Sequence, residues 1–283
     1  MKYIKKFIGG LSVLFLFYFL VKNIEFLKIF KTLNLSEILF LVLLVVLRIY
    51  INSLQTIHLY KFINVSLKKS ESINLFLKST LANSLAFMNL GGGYKAIFLK
   101  NKFNLKFKNY LLLNTFFSGY KILIYLSLFF LFVALNNNFS SHIYLLFFLV
   151  PFVLFFIFAL VFPKKLHFWI SKIKNQKFLF LKLNINLIFL FFLNTFILFR
   201  YFQLFNFSNS YEDIILYFLV GFITSLINVT PGNIGFKETV LIFSSELHKV
   251  TEIEILTISL FSRVLEIIIL LVFSILIDKF IKN

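Results

Sequence analysis

The chain has 283 residues, 60% of them apolar and 14% charged, with 44 Phe, no Cys and a formal charge of +18; its mean hydropathy is +0.93. This balance excludes a soluble enzyme with an ordinary core, because most of the chain must have lipid as its solvent. The lack of cysteine excludes disulfides and thiolate metal sites, and the basic residues lie in short loops between apolar runs, which points to anionic lipid headgroups and away from nucleic acid.

The first element in chain order is an apolar run from about 4 to 21, with Lys2, Lys5 and Lys6 at its start. It has the shape of a signal peptide, but no small-residue cleavage site follows, so it reads as an uncleaved span. Further runs long enough to cross a bilayer at about 1.5 Å per residue lie at 38–59, 110–135, 142–162, 183–205 and 255–277. Two other stretches, 72–100 and 213–247, are apolar but interrupted by helix breakers.

The two interruptions are near-duplicates. Gly91-Gly92-Gly93-Tyr94-Lys95 in the first is answered by Pro231-Gly232-Asn233-Ile234-Gly235-Phe236-Lys237 in the second. Backbone at membrane depth leaves helical geometry only where it is buried in protein or lines a wet cavity. Paired glycine-interrupted segments in two halves of a membrane chain point to a transport site at a repeat interface. A half-helix is expected to begin near Gly93 and another near Gly235, each presenting free N–H groups and a positive dipole end to an anion.

Lysine positions orient the spans. If both interrupted stretches re-enter on the side they left, the two termini are cytoplasmic, 20 of the 29 basic residues fall inside and only 4 outside, as the positive-inside rule requires. Glu246, Glu252 and Glu254 then lie on the outer face. The expected fold is all-α: a polytopic helical membrane protein of six full spans plus two re-entrant broken-helix hairpins. It forms a single membrane domain over 1–283, with repeat one at 1–135 and repeat two at 142–283 in inverted topology.

The residues expected to bind a lipid phosphate are Gly91, Gly92, Gly93, Lys95, Pro231, Gly232, Asn233, Gly235 and Lys237. A lysine near a helix N-terminus opposes the dipole, an arrangement that a bound phosphate would make favourable. The structural alternative is that Lys95 and Lys237 snorkel to an interface. A second set, Arg48, Glu238, Arg263 and Glu266, forms the expected cavity or charge network. Glu238 directly follows Lys237 and projects about 100° around the helix from it, so its cationic partner belongs on another helix. Arg263 and Glu266, three apart, can face one another. Arg48 lies mid-span, where insertion scales assign about 2.5–3.5 kcal/mol to a buried cation, and should face the bundle or a cavity. All four histidines, His58, His142, His167 and His248, and both aspartates, Asp213 and Asp278, sit at span ends. That leaves no catalytic residue, metal site or cofactor to name.

At these residues the sequence resembles the lysylphosphatidylglycerol synthase transmembrane-region family, a flippase-like membrane domain that also occurs on its own. The likeness rests on a proline-glycine loop followed by Gly-x-x-Glu, matched by Pro231 to Glu238, and on an arginine in the next span, matched by Arg263. It rests also on a glycine-rich break with a basic residue, Gly91 to Lys95, and on a basic residue in the second span, Arg48. The first half departs from the pattern: Asn89 or Leu90 stands in the usual proline's place, and Gly119-Tyr120-Lys121 where an arginine and an acid are common. The resemblance implies a flippase or transporter moving an anionic phospholipid or lipid-linked glycan between leaflets of a bacterial cytoplasmic membrane, and does not imply lysyl transfer. Membrane lipids are the expected partners, with a lipid- or glycan-modifying enzyme as a further candidate. An accessory or scaffold subunit of such a synthase and a headgroup transferase are the competing readings.

Overall fold

The computed structural model describes residues 34–85, 90–135, 174–226, 230 and 233–282. The expected spans at 4–21 and 142–162, together with Pro231 and Gly232, lie outside the described residues. Within them the chain is all-α: α1 (Leu35–Lys61), α2 (Lys69–Leu85), α3 (Leu90–Phe103), α4 (Phe107–Leu135), α5 (Lys177–Leu204), α6 (Tyr211–Ser225), α7 (Phe236–Phe243), the single turn α8 (Ser245–His248) and α9 (Glu252–Lys282). Four of these helices are long and apolar enough to cross a membrane: Leu35–Lys61, Phe107–Phe132, Lys177–Leu204 and Glu252–Lys279. They coincide with four of the six runs read from hydropathy.

Local chemistry explains the starts. Asn34 caps α1, its side chain accepting from the Ser36 N–H at 3.1 Å, with Glu37 in the first turn and Lys61 in the last, both signs complementing the helix dipole. Ser210 caps α6 in the same way, accepting from the Asp213 N–H at 3.2 Å. Along the spans many large apolar side chains stay exposed, among them Leu43, Phe192, Val264 and Ile268. Because lipid tails are as apolar as leucine, such helices associate through close packing and polar contacts.

Each interrupted stretch forms an antiparallel helix pair. In the first, Lys102 on α3 reaches Glu71 on α2 at 2.5 Å near the open end, and the Gly91 N–H donates to the Asn83 side chain at 2.8 Å near the closed end. The expected start near Gly93 is too late: the described part of α3 is already helical at Leu90, so the three glycines lie within the helix. Gly91 is there because α2 passes so close: a Cβ on it would sit 1.9 Å from the Ser79 carbonyl oxygen. In the second pair, Asn233 donates to the Thr224 carbonyl at 3.3 Å at the closed end, and Tyr217 meets the His248 ring edge-on at 5.5 Å towards the open end. Here the expected start holds. Gly235 takes φ 78° immediately before α7, a left-handed conformation that favours glycine.

The two pairs open in opposite directions. The end of α1, the starts of α2, α4 and α5 and the end of α3 share one cluster, with Tyr60, Val65, Leu67, Leu99, Tyr110 and Leu183 buried in it. That end carries Lys61, Lys68, Lys69, Lys102, Lys106 and Lys177 among others. At the far end Arg200 on α5 pairs with Glu37 on α1, Asn209 donates to Glu254 at 3.4 Å, and the acids Glu212, Asp213, Glu246 and Glu252 gather. A third set of contacts, Leu41, Val45, Ile197, Leu241 and Ile258, packs α1, α5, α7 and α9 together.

A charged cavity between the helix pairs

Midway between the basic and acidic ends lies a cavity of about 260 Å³. Its wall takes Arg48 and Asn52 from α1, Lys121 and Tyr125 from α4, Asn194 from α5 and Glu266 from α9. Thr80, near the closed end of the first pair, and Ser225, near that of the second, also line it. Two of the expected network residues therefore meet here: Arg48 Nη2 lies 2.8 Å from Glu266 Oε1.

The expected Arg263–Glu266 pair does not form. The rotation of α9 turns Glu266 towards α1 and Arg263 towards α7, where it meets Glu238 at 2.7 Å. Glu238 is 2% exposed and completely engaged. One oxygen accepts from Arg263 and from the Ser259 hydroxyl, and the other accepts from the Gly235 N–H at 2.8 Å. Arg263 also donates to the Asn233 carbonyl at 3.2 Å. A carboxylate three residues into a helix that bonds back to the residue before it is a capping interaction, here charge-assisted from a neighbouring helix. The expectation that Glu238 finds its cation on another helix is borne out.

The glycine-motif lysines stand outside the cavity wall. Lys95 Nζ lies 5.7 Å above the Phe76 ring, and Phe76 itself lines the cavity. Lys237 packs on Gly221, whose bare Cα makes the room: a Cβ there would come within 2.9 Å of Lys237 Cε. Both remain electrostatically close to the site, Lys95 to Lys121 and Lys237 to Arg48, Glu238, Arg263 and Glu266. The backbone donors nearest the breaks are already used, Gly91 by Asn83 and Gly235 by Glu238. Gly92 is half-buried and Gly93 exposed.

The wall residue that motif reading passed over is Lys121. Its ammonium lies 5.2 Å from the Tyr125 ring centre and 5.1 Å from that of Phe222, and it has no carboxylate partner among the described residues. The Tyr125 hydroxyl is buried without a hydrogen-bond partner among them. The available signal was a lysine inside an apolar run, since an ionisable group within a span faces the bundle interior or a water-filled cavity. His248, expected at a span end, is fully buried beneath the second pair. It accepts from the Val250 N–H at 3.2 Å and lies 3.1 Å from the Leu241 carbonyl, a structural setting. Among the described residues no group of three or more His, Cys, Asp or Glu could hold a metal ion.

Residues 6–274 match the family model described as the lysylphosphatidylglycerol synthase TM region. No curated protein and no solved structure matches the chain.

Proposed function

The chain belongs to the lysylphosphatidylglycerol synthase transmembrane-region family, and from that premise we propose that it moves an anionic phospholipid or lipid-linked glycan between membrane leaflets, the headgroup passing through the cavity walled by Arg48, Lys121 and Glu266. The observation that carries this reading is the cavity itself. Ionisable groups within spans are costly and mark ligand or ion pathways, and here two cations and one carboxylate face a shared space in a bundle otherwise solvated by lipid. At about 260 Å³ that space suits a headgroup, while acyl chains keep to the bilayer. The opposite directions of the two helix pairs support re-entrant hairpins in inverted repeats, and the separation of basic from acidic ends supports cytoplasmic termini. In this reading Lys95 and Lys237 supply positive potential behind the wall, and the Glu238–Arg263 pair braces the second hairpin.

Purified protein in liposomes with a fluorescent anionic phospholipid tests the proposal, with leaflet exchange read by reductant quenching. Arg48→Gln and Lys121→Gln should each slow exchange about tenfold, the effect of losing a charge-assisted contact, while Lys177→Ala leaves it unchanged. A chemically altered lipid would indicate a transferase, and neither exchange nor alteration a scaffold subunit. Single cysteines at 68 and 102 should label from the same side of the membrane, and opposite labelling would remove re-entry of the first hairpin.

A further inference from the structure

The cavity wall contains more information than its sign. Of its two cations, Arg48 is already paired with Glu266 at 2.8 Å, which leaves Lys121 as the one cation in the wall without a carboxylate among the described residues. The hydroxyls beside it add no positive character. Thr80 donates its hydrogen to the Phe76 carbonyl at 2.8 Å and Ser225 its own to the Phe222 carbonyl at 2.6 Å, so both can offer a ligand only lone pairs. The donors left over in the wall are the second amide hydrogens of Asn52 and Asn194, each of which gives one hydrogen to a backbone carbonyl.

Resting on the headgroup-binding reading above, we propose that Glu266 selects headgroup charge: by neutralising Arg48 it leaves the wall with one uncompensated cation and matches the cavity to a singly charged phosphodiester over a phosphomonoester or pyrophosphate. One anionic phosphate oxygen meets Lys121 and the outer face of the Arg48 guanidinium. A second negative charge meets Glu266 and the lone pairs of Thr80 and Ser225. Like charges at such range repel strongly in a medium drier than water. Lys95, Lys237, Arg263 and Glu238 stand behind the wall and are the same in every variant below, so the shift in preference between variants reports the wall charge alone.

The experiment uses the full chain in detergent and two soluble probes at pH 7.5, dimethyl phosphate with one charge and methyl phosphate mostly with two, read by titration calorimetry. The wild type should bind dimethyl phosphate more tightly. Glu266→Gln should move the affinity ratio about tenfold towards methyl phosphate, as one removed wall charge predicts. Glu266→Asp should keep the wild-type order, and the double variant Arg48→Gln with Glu266→Gln should restore it, because one uncompensated cation remains. A ratio unmoved by Glu266→Gln, or a wild type that prefers methyl phosphate, overturns the proposal; the second result decides it even if Glu266→Gln fails to fold. Lipid exchange in liposomes is scored separately. Ordered phosphate binding without exchange would sink the transport reading and leave charge selection standing, whereas exchange without a charge preference would do the reverse.

Discussion

The closed end of α2 and α3 is held by a backbone contact, the Gly91 N–H on Asn83, with no carboxylate in it. The closed end of α6 and α7 is held by a buried ion pair, Glu238 with Arg263, reinforced by Ser259 and the Gly235 N–H. Two segments with nearly the same glycine-aromatic-lysine sequence thus reach a similar hairpin by different chemistry. The lesson is that the small residues set the shape, by letting helices or side chains approach closely, while the residue after each lysine sets what stabilises it: Ala96 in the first, Glu238 in the second. The closed end without a carboxylate lies in the half that departs from the family pattern.

The largest effect should come from charge in the second pair. Glu238→Gln removes the carboxylate from Arg263 and should cost about 3–5 kcal/mol, the range for breaking one side of a buried pair, read as a fall in thermal unfolding temperature in detergent. A change as small as that from a solvated lysine would mean that charge does not hold this hairpin. In the first pair the corresponding sensitivity is steric. Gly91→Ala drives a methyl group against the Ser79 carbonyl and the Asn83 side chain, and should cost about 1–3 kcal/mol as overpacking does.

A smaller effect is expected in the second pair from pH. Burial pushes His248 below the ordinary imidazole value, and its Nδ1 accepts a backbone N–H, so the folded state holds the ring neutral. The unfolded chain therefore protonates first as pH falls below about 6.5. The stability contributed by the neutral ring is complete above that pH and is lost as pH falls towards the folded value. Unfolding temperatures at pH 8 and pH 5 should differ less in His248→Gln than in the wild type. An unchanged pH dependence would remove His248 as its source. The smallest effect belongs to Gly93→Ala. Among the described residues nothing lies within 4 Å of the added methyl, so the variant should match the wild type or gain up to about 1 kcal/mol from helix propensity, the converse of its neighbour two residues away.

Much of the architecture was legible before any fold. Composition set the solvent as lipid, hydropathy located α1, α4, α5 and α9 to within six residues at each end, and glycines marked where two apolar stretches turn back. These signals are local, because each depends on what a short segment must do with its own backbone and apolar surface in a bilayer. The expectation that Glu238 needs a cation from another helix followed from the angle between successive residues on a helix, which is equally local.

Partner choice was not legible. Arg263 and Glu266 have the spacing of a facing pair, yet α9 is rotated and packed so that each meets a different helix, Arg263 reaching Glu238 and Glu266 reaching Arg48. The packing of α5 against α1 and α4 brings Lys121, Asn194 and Tyr125 into a common wall with Arg48, although nothing in their spacing links them. Burial of His248 likewise depends on where the turn after α7 folds. The membrane class, the positions of these spans and the two breaks are determined by the sequence alone, because they follow from transfer of single segments into lipid. Which charges meet, and hence where the cavity lies, is decided by the rotational register of packed helices, a property that averaging hydropathy along one segment removes.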